Sequence, residues 1–222
     1  MQNRFEADSI RKSFGNQQIL TDIYLSCQTG EIIGLLGRNG SGKSTLLKIL
    51  FGTLHTDYKH IMINGEYLNQ PFRKKGLISY LNQDNFIPIN MTVRKVIRLY
   101  QTQLNEVDLY SDPIISSLLD SKISNLSGGE LRYIEIILTL NLNSKFAFLD
   151  EPFNGLAPIH IDIVKNVIRN QSKFKGIILT DHDYRNVLDI ATKYLVLVDG
   201  GLKVLESQDE FVTWGYLPEK QN

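Results

Sequence analysis

The segment GRNGSGKST, Gly37 to Thr45, constrains this chain more than any other. It has the form G-x-x-x-x-G-K-[ST]. It lies between an apolar run, EIIGLL, and a segment with helical apolar spacing, GKSTLLKILFG. A strand that turns through glycines and reopens as a helix aims several backbone N–H groups at one phosphate. Gly37, Gly40 and Gly42 permit the tight turn, and the helix offers the positive end of its dipole. The motif predicts a nucleotide site built from Gly37, Arg38, Asn39, Gly40, Ser41, Gly42, Lys43, Ser44 and Thr45. Lys43 is expected to reach the β- and γ-phosphates of the nucleotide, and Ser44 to ligate Mg²⁺.

A second segment, FLDEPFNGLAP, ends an apolar run in two adjacent acids, Asp150 and Glu151. Two acids at a strand end are in most chains a solvated strand-to-loop junction. Beside a phosphate loop they read differently. Asp150 is placed as a carboxylate for the metal, direct or through another ligand, and Glu151 as the group that orients and partly deprotonates an attacking water.

Around these motifs the chain alternates in period. NRFEADSIRKSF and QILTDIYLSCQ read as early strands, and Asn64-Gly65 marks a hairpin turn in HIMINGEYL. TVRKVIRLYQTQL, DPIISSLLD and SGGELRYIEIILTLNL read as helices. Thereafter strands (KFAFLD, GIILTD, KYLVLVDG) alternate with helices (IHIDIVKNVIRNQ, DYRNVLDIA), the pattern of a largely parallel sheet flanked by helices. At 222 residues the chain can bury a substantial core. Its formal net charge of zero argues against a general nucleic-acid or membrane-surface binder. The single cysteine, Cys27, allows no intrachain disulfide and reads as a small buried hydrophobe. The N-terminus has no signal-peptide core, and no apolar run has the length of a membrane helix.

LSGGE, Leu126 to Glu130, separates this chain from other phosphate-loop proteins. A hydroxyl and two glycines ahead of a helix again suit an anion. Placed between the phosphate loop and the acid pair, the motif resembles the signature of ABC-type ATPases. Gln83 in SYLNQDNF, His182 in ILTDHD and Phe14 in RKSFGN follow the same family order. Within the family, the sequence is similar to the ATPases of lipopolysaccharide export and of branched-chain amino-acid import.

The resemblance implies one ABC nucleotide-binding domain over 1–222. It is of α/β class, a P-loop NTPase core with a mostly parallel sheet, an antiparallel β-lobe and an inserted helical lobe. The core with its β-lobe would span about 1–82 and 143–222, and the helical lobe with the signature about 84–142. Phe14 would stack on adenine. Gln83 would reach the metal or water, alongside Ser44 and Asp150 as metal-associated groups, and His182 would contact the γ-phosphate. Glu151, His182 and Gln83 would form the catalytic set. Leu126, Ser127, Gly128, Gly129 and Glu130 would face the ATP of an opposing subunit, in a homodimer or with a paired ABC subunit. A separate transmembrane permease would complete the assembly at the cytoplasmic face of the membrane, with no direct nucleic-acid contact. The competing reading is a soluble mechanical or regulatory ATPase.

The sequence departs from the family in three places. Ala157 stands where an aspartate is usual after the acids. Leu138 stands where the signature helix commonly carries arginine, leaving Arg132 alone in that helix. The segment between Gln83 and Leu126 is also short. These departures are expected to touch communication between two sites more than the chemistry of one.

Overall fold

The computed structural model describes residues 2–104, 108–205 and 210. The part of the expected core beyond residue 205, residue 210 excepted, lies outside the described residues.

The first half of the fold follows from strands of period two. β1 (Arg4–Phe14) and β2 (Gln17–Gln28) pair antiparallel, and β4 (Tyr58–Ile63) adds to the other edge of β1. β4 turns into β5 (Glu66–Tyr67) through Asn64 and Gly65, with φ of 54° and 79°. Two consecutive left-handed residues make the tight hairpin that the Asn-Gly pair predicts. The sheet order is β2-β1-β4-β5.

The second sheet has the order β10-β9-β3-β8-β7-β6. Its strands are β3 (Ile32–Leu36), β6 (Ile78–Leu81), β7 (Phe146–Asp150), β8 (Gly176–Thr180), β9 (Lys193–Val198) and β10 (Gly201–Leu205). All pairs are parallel except β9 with β10. β3, β7 and β8 are buried along their whole lengths, as central strands covered on both faces must be.

Alternation sorts these strands between two hydrophobic clusters. Ile32, Leu36, Ala147, Leu149, Ile177 and Leu179 point to one face. Ile33, Leu35, Phe146, Phe148 and Ile178 point to the other. The second face packs with the antiparallel sheet and with α1 (Lys43–Phe51), whose Leu46, Leu47, Ile49 and Leu50 are fully buried. Phe5 of β1 meets Phe146 and Phe148 edge-on, at 5.7 and 5.4 Å between ring centroids. The first face packs with α2 (Val93–Tyr100), α3 (Pro113–Leu118), α4 (Gly128–Asn141), α5 (Pro158–Ser172) and α6 (Tyr184–Ile190).

α4 is buried from Leu131 to Asn141 on every side. Leu138 is part of the cluster it enters, so an arginine there would need a buried partner. The helix expected over TVRKVIRLYQTQL stops at Tyr100 and tightens to a 3₁₀ turn at Gln101–Gln103. Leu104 then bridges to Leu142, which draws the chain off the helix axis. The short strands β6 and β10 carry no periodic signal long enough to read from sequence.

Candidate functional site

The sheet order gathers the motifs. β3, β8, β7 and β6 are parallel neighbours, so their carboxyl ends share one edge. The phosphate loop follows β3, His182 follows β8, Glu151 follows β7 and Gln83 follows β6. Each step across the sheet is about 4.8 Å, which puts groups far apart in sequence into one cleft. That cleft holds ≈ 680 Å³ and is lined by Phe14, Ile19, Lys43, Ser44, Gln83, Glu151 and His182, with Asn39, Gly40, Gly42, Thr45 and Asn154.

The loop wall is set by backbone. Gly42 caps α1 at φ 105°, and a Cβ there would lie 2.8 Å from Ile19 Cγ2. Glycine is required on both counts. The cap has no side chain, so the first-turn N–H groups of α1 face the cleft unshared with a capping oxygen. Lys43 Nζ donates to the carbonyls of Gly37 (2.8 Å) and Arg38 (3.1 Å). Burial lowers its pKa, while Glu151, Asp150 and Asp181 act in the opposite direction. Arg38 and Ser41 turn away from the main cleft. They line a second hollow with Asp199 and Gly200.

The acid pair divides by burial. Asp150 is fully buried and accepts from Ser44 Oγ (3.0 Å), Thr180 Oγ1 (2.8 Å) and Tyr80 OH (3.3 Å). Burial first, then the Asp150 charge, raises the Tyr80 phenol above its ordinary range. Glu151 lies beyond the strand end in the left-handed region, φ 50°, unusual for a residue with a side chain. Its N–H donates to Thr180 O (3.1 Å), also approaching Thr180 Oγ1 at 3.2 Å. Its carboxylate Oε2 accepts from Gln83 Nε2 at 3.1 Å and lies 3.9 Å from His182 Nδ1.

Several groups at this edge were not singled out from sequence. Asp181 accepts from the N–H groups of Phe153 (3.1 Å) and Asp183 (2.9 Å), which ties the loop after the acids to the one bearing His182. Burial raises its pKa. Thr180 and Asp181 stand directly before His182 in LTDHD, and that adjacency was the available signal. Ile19 and Asn154 also line the cleft without any motif to announce them.

The signature lies elsewhere. None of Leu126, Ser127, Gly128, Gly129 or Glu130 lines this cleft. Ser127 caps α4 in a capping box: its Oγ accepts from Glu130 N–H, and Glu130 Oε2 accepts from Ser127 N–H (2.8 Å) and Ser127 Oγ (2.7 Å). Those bonds lower the Glu130 pKa, the side-chain bond first. A Cβ on Gly129 would lie 2.8 Å from Gly155 O, so signature and post-acid loop are in close backbone approach.

A phosphate loop between a parallel strand and a helix, with acids at a nearby parallel strand end, defines the P-loop nucleoside-triphosphatase class. The family model described as ABC transporter matches residues 20–154. The chain belongs to the ABC transporter family and is an ATP-binding, ATP-hydrolysing subunit of that kind. Similar proteins include the lipopolysaccharide export system ATP-binding protein LptB of Haemophilus influenzae, 33% identical over 96% of this chain and 97% of that protein. The same protein of Escherichia coli K12 is 31% identical over 96% of both chains. A solved structure described as the ATP-binding subunit of an ABC transporter matches the fold with a TM-score of 0.80, at 24% identity, over 96% of this chain and 93% of that one. A nucleotide-free ATP-binding cassette from an ABC transporter gives 0.79 at 23% identity, over 97% and 96%.

Proposed function

We propose that this cleft hydrolyses Mg-ATP with Glu151 as the base for the attacking water, and that turnover drives a transporter whose membrane-spanning part is a separate chain. The observation that carries the reading is the convergence on Glu151 Oε2. Gln83 donates to it, His182 stands close by, and Lys43 and Ser44 line the same cleft.

Each residue then has a task. The carbonyls that hold Lys43 are neutral acceptors, and phosphate oxygens compete for its ammonium on better terms. The first-turn N–H groups of α1 take the phosphates with it. Gly37, Arg38 and Ser41 shape the loop from behind. Phe14, half exposed with Lys12 Nζ 4.8 Å from its ring centre, offers a face to adenine beside Ile19. Gln83 orients the water on Glu151, and His182 reaches toward the γ-phosphate.

The oxygen donors suit Mg²⁺, a hard ion that keeps several waters and needs one or two protein ligands. Among the described residues no cluster of three acids, histidines or cysteines competes for that role. Ser44 Oγ and Gln83 Oε1 would hold the ion, since Gln83 Nε2 is engaged with Glu151. Asp150 would act through Ser44, because its oxygens already accept three hydroxyls. When bound, the ion neutralises charge on the phosphates.

The signature loop, on the lobe spanning about 84–142, is assigned to the nucleotide of a second copy or a paired subunit. Its absence from this chain's own cleft favours that assignment. Among the described residues no helix is long and apolar enough to cross a membrane. The membrane-spanning part is assigned to a separate permease chain. The relatives above serve a lipopolysaccharide export system. This chain is assigned a matching place at the inner face of a membrane.

Glu151→Gln is the test. It should keep ATP affinity, lose at least about 100-fold in kcat, and accumulate an ATP-dependent dimer on size exclusion. Turnover at the wild-type rate would refute the assignment. Recovery of the full chain with a polytopic membrane protein, in detergent, tests the partner.

A further inference from the structure

Arg132 and Glu135 lie one turn apart on α4 and are both buried, at 5% and 0% exposure. Neither lines the nucleotide cleft. Arg132 Nη1 donates to Asn82 O at 2.7 Å, and Nη2 donates to Asp150 O (2.7 Å) and Glu151 O (2.9 Å). Glu135 Oε1 accepts from the N–H groups of Phe86 (2.7 Å) and Ile87 (3.3 Å).

These bonds have a pattern. Asn82 O belongs to the peptide that leads into Gln83. Asp150 O and Glu151 O belong to the peptides on either side of Glu151. One planar guanidinium therefore fixes the backbone under both side chains that meet at 3.1 Å in the cleft. Glu135 grips the far end of the same 82–87 segment. The left-handed turn at Glu151 is held from both sides, by Thr180 at its N–H and by Arg132 at its carbonyl.

The attraction between the two charges does not account for their burial. Burial raises the Glu135 pKa and lowers that of Arg132, and their attraction at 3.6 Å reverses neither shift. Apolar residues of similar volume often replace such buried pairs at no loss of stability. What apolar residues cannot reproduce is the set of five bonds to backbone groups of the two loops.

We propose that Arg132 and Glu135 are positioning residues for ATP hydrolysis, holding Gln83 and Glu151 in register and tying both to the helix that Ser127 caps. This rests on the roles assigned above to Glu151 and Gln83.

Two variants of the full chain test it, Arg132→Met with Glu135→Leu, and Arg132→Lys alone. The first substitutes an apolar pair, and the second keeps the charge but loses the fork. ATPase rates against ATP concentration, affinity for a non-hydrolysable ATP analogue, and thermal unfolding are read together. Both variants should lose at least about tenfold in kcat while analogue affinity stays within about twofold. The apolar pair leaves the partnered backbone groups without donors or acceptors and should also unfold earlier than wild type, so the split between kcat and analogue affinity is the deciding readout. Should it fail to fold, Arg132→Lys carries the same kinetic readout. A kcat within about twofold of wild type in a folded variant, or a loss confined to affinity, overturns the proposal. Glu151→Gln run alongside separates the two failures. If it turns over normally, the site assignment falls; if it is inactive while the Arg132 variants are active, positioning alone falls.

Discussion

Ala157→Asp restores the residue type usual in the family and completes a helix cap that the native chain leaves without a side-chain oxygen. Ala157 is the N-cap of α5, with φ −66° and ψ 147°, and it makes no side-chain cap bond. Pro158 follows at the first helical position and has no N–H to satisfy. The carbonyl of Ala157 already accepts from His160 (2.9 Å) and Ile161 (3.2 Å), so the backbone is set as a cap. The missing part is the side-chain oxygen. An aspartate there would accept from a first-turn N–H and add negative charge at the positive end of a helix of 15 residues.

Replacing alanine by a good cap is worth about 1 kcal/mol. In a chain of this size that raises the unfolding temperature by roughly 2–4 °C. Differential scanning calorimetry measures it, with Ala157→Ser as the companion that caps without adding charge. Both should unfold later than wild type, aspartate at least as late as serine. ATPase cooperativity is measured in the same pair. A change common to both comes from ordering α5, and a change confined to aspartate comes from its charge. Unfolding at or below the wild-type temperature in both variants would refute the capping argument.

Other outcomes follow from single contacts. Lys175 is buried, donates to Leu140 O and Leu142 O at the end of α4, and has its pKa lowered by burial to about 8. Between pH 8 and the unfolded value of 10.5, the unfolded chain holds the proton and the folded chain has released it. This residue's contribution to stability therefore rises with pH across that window, by about 3 kcal/mol in full. Urea unfolding of wild type and Lys175→Met between pH 7.5 and 10.5 should give a difference that climbs with pH; a flat difference refutes it. Gly129→Ala meets Gly155 O and should cost about 1–3 kcal/mol in thermal unfolding. Gly128→Ala meets nothing within 4 Å and should stay within about 1 kcal/mol. Equal losses in the two would contradict the close approach of signature and post-acid loop.

What could be read from sequence was local or carried by motif. Lys43 and Ser44 stand at fixed offsets from their glycines, and Asn64-Gly65 makes its own turn whatever surrounds it. The order β3-β8-β7-β6 could not be read, because it depends on pairings between strands that are not consecutive in the chain, such as Ile32 with Ile177 and Ile78 with Phe146. Strand β6 has only four residues, too few for alternation to mark it. In the sequence Arg132 stands out only as the single arginine of the signature helix. Its task depends on carbonyls of Asn82 and Glu151, backbone groups that carry no mark in a sequence. Nothing in the sequence marks Lys175 as buried; its place against the carbonyls at the end of α4 does.

The three central strands β3, β7 and β8 have the same length, five residues. Parity along each decides which hydrophobic cluster a side chain enters, and the same parity decides where the functional groups emerge at the shared edge. One residue inserted into β7 would send Phe146 and Phe148 to the wrong cluster and displace Glu151 by about 3.3 Å. One residue inserted at an exposed loop tip would disturb neither. The strands thus act as rulers, and over evolution this chain can lengthen its loops while the lengths of these three strands stay locked.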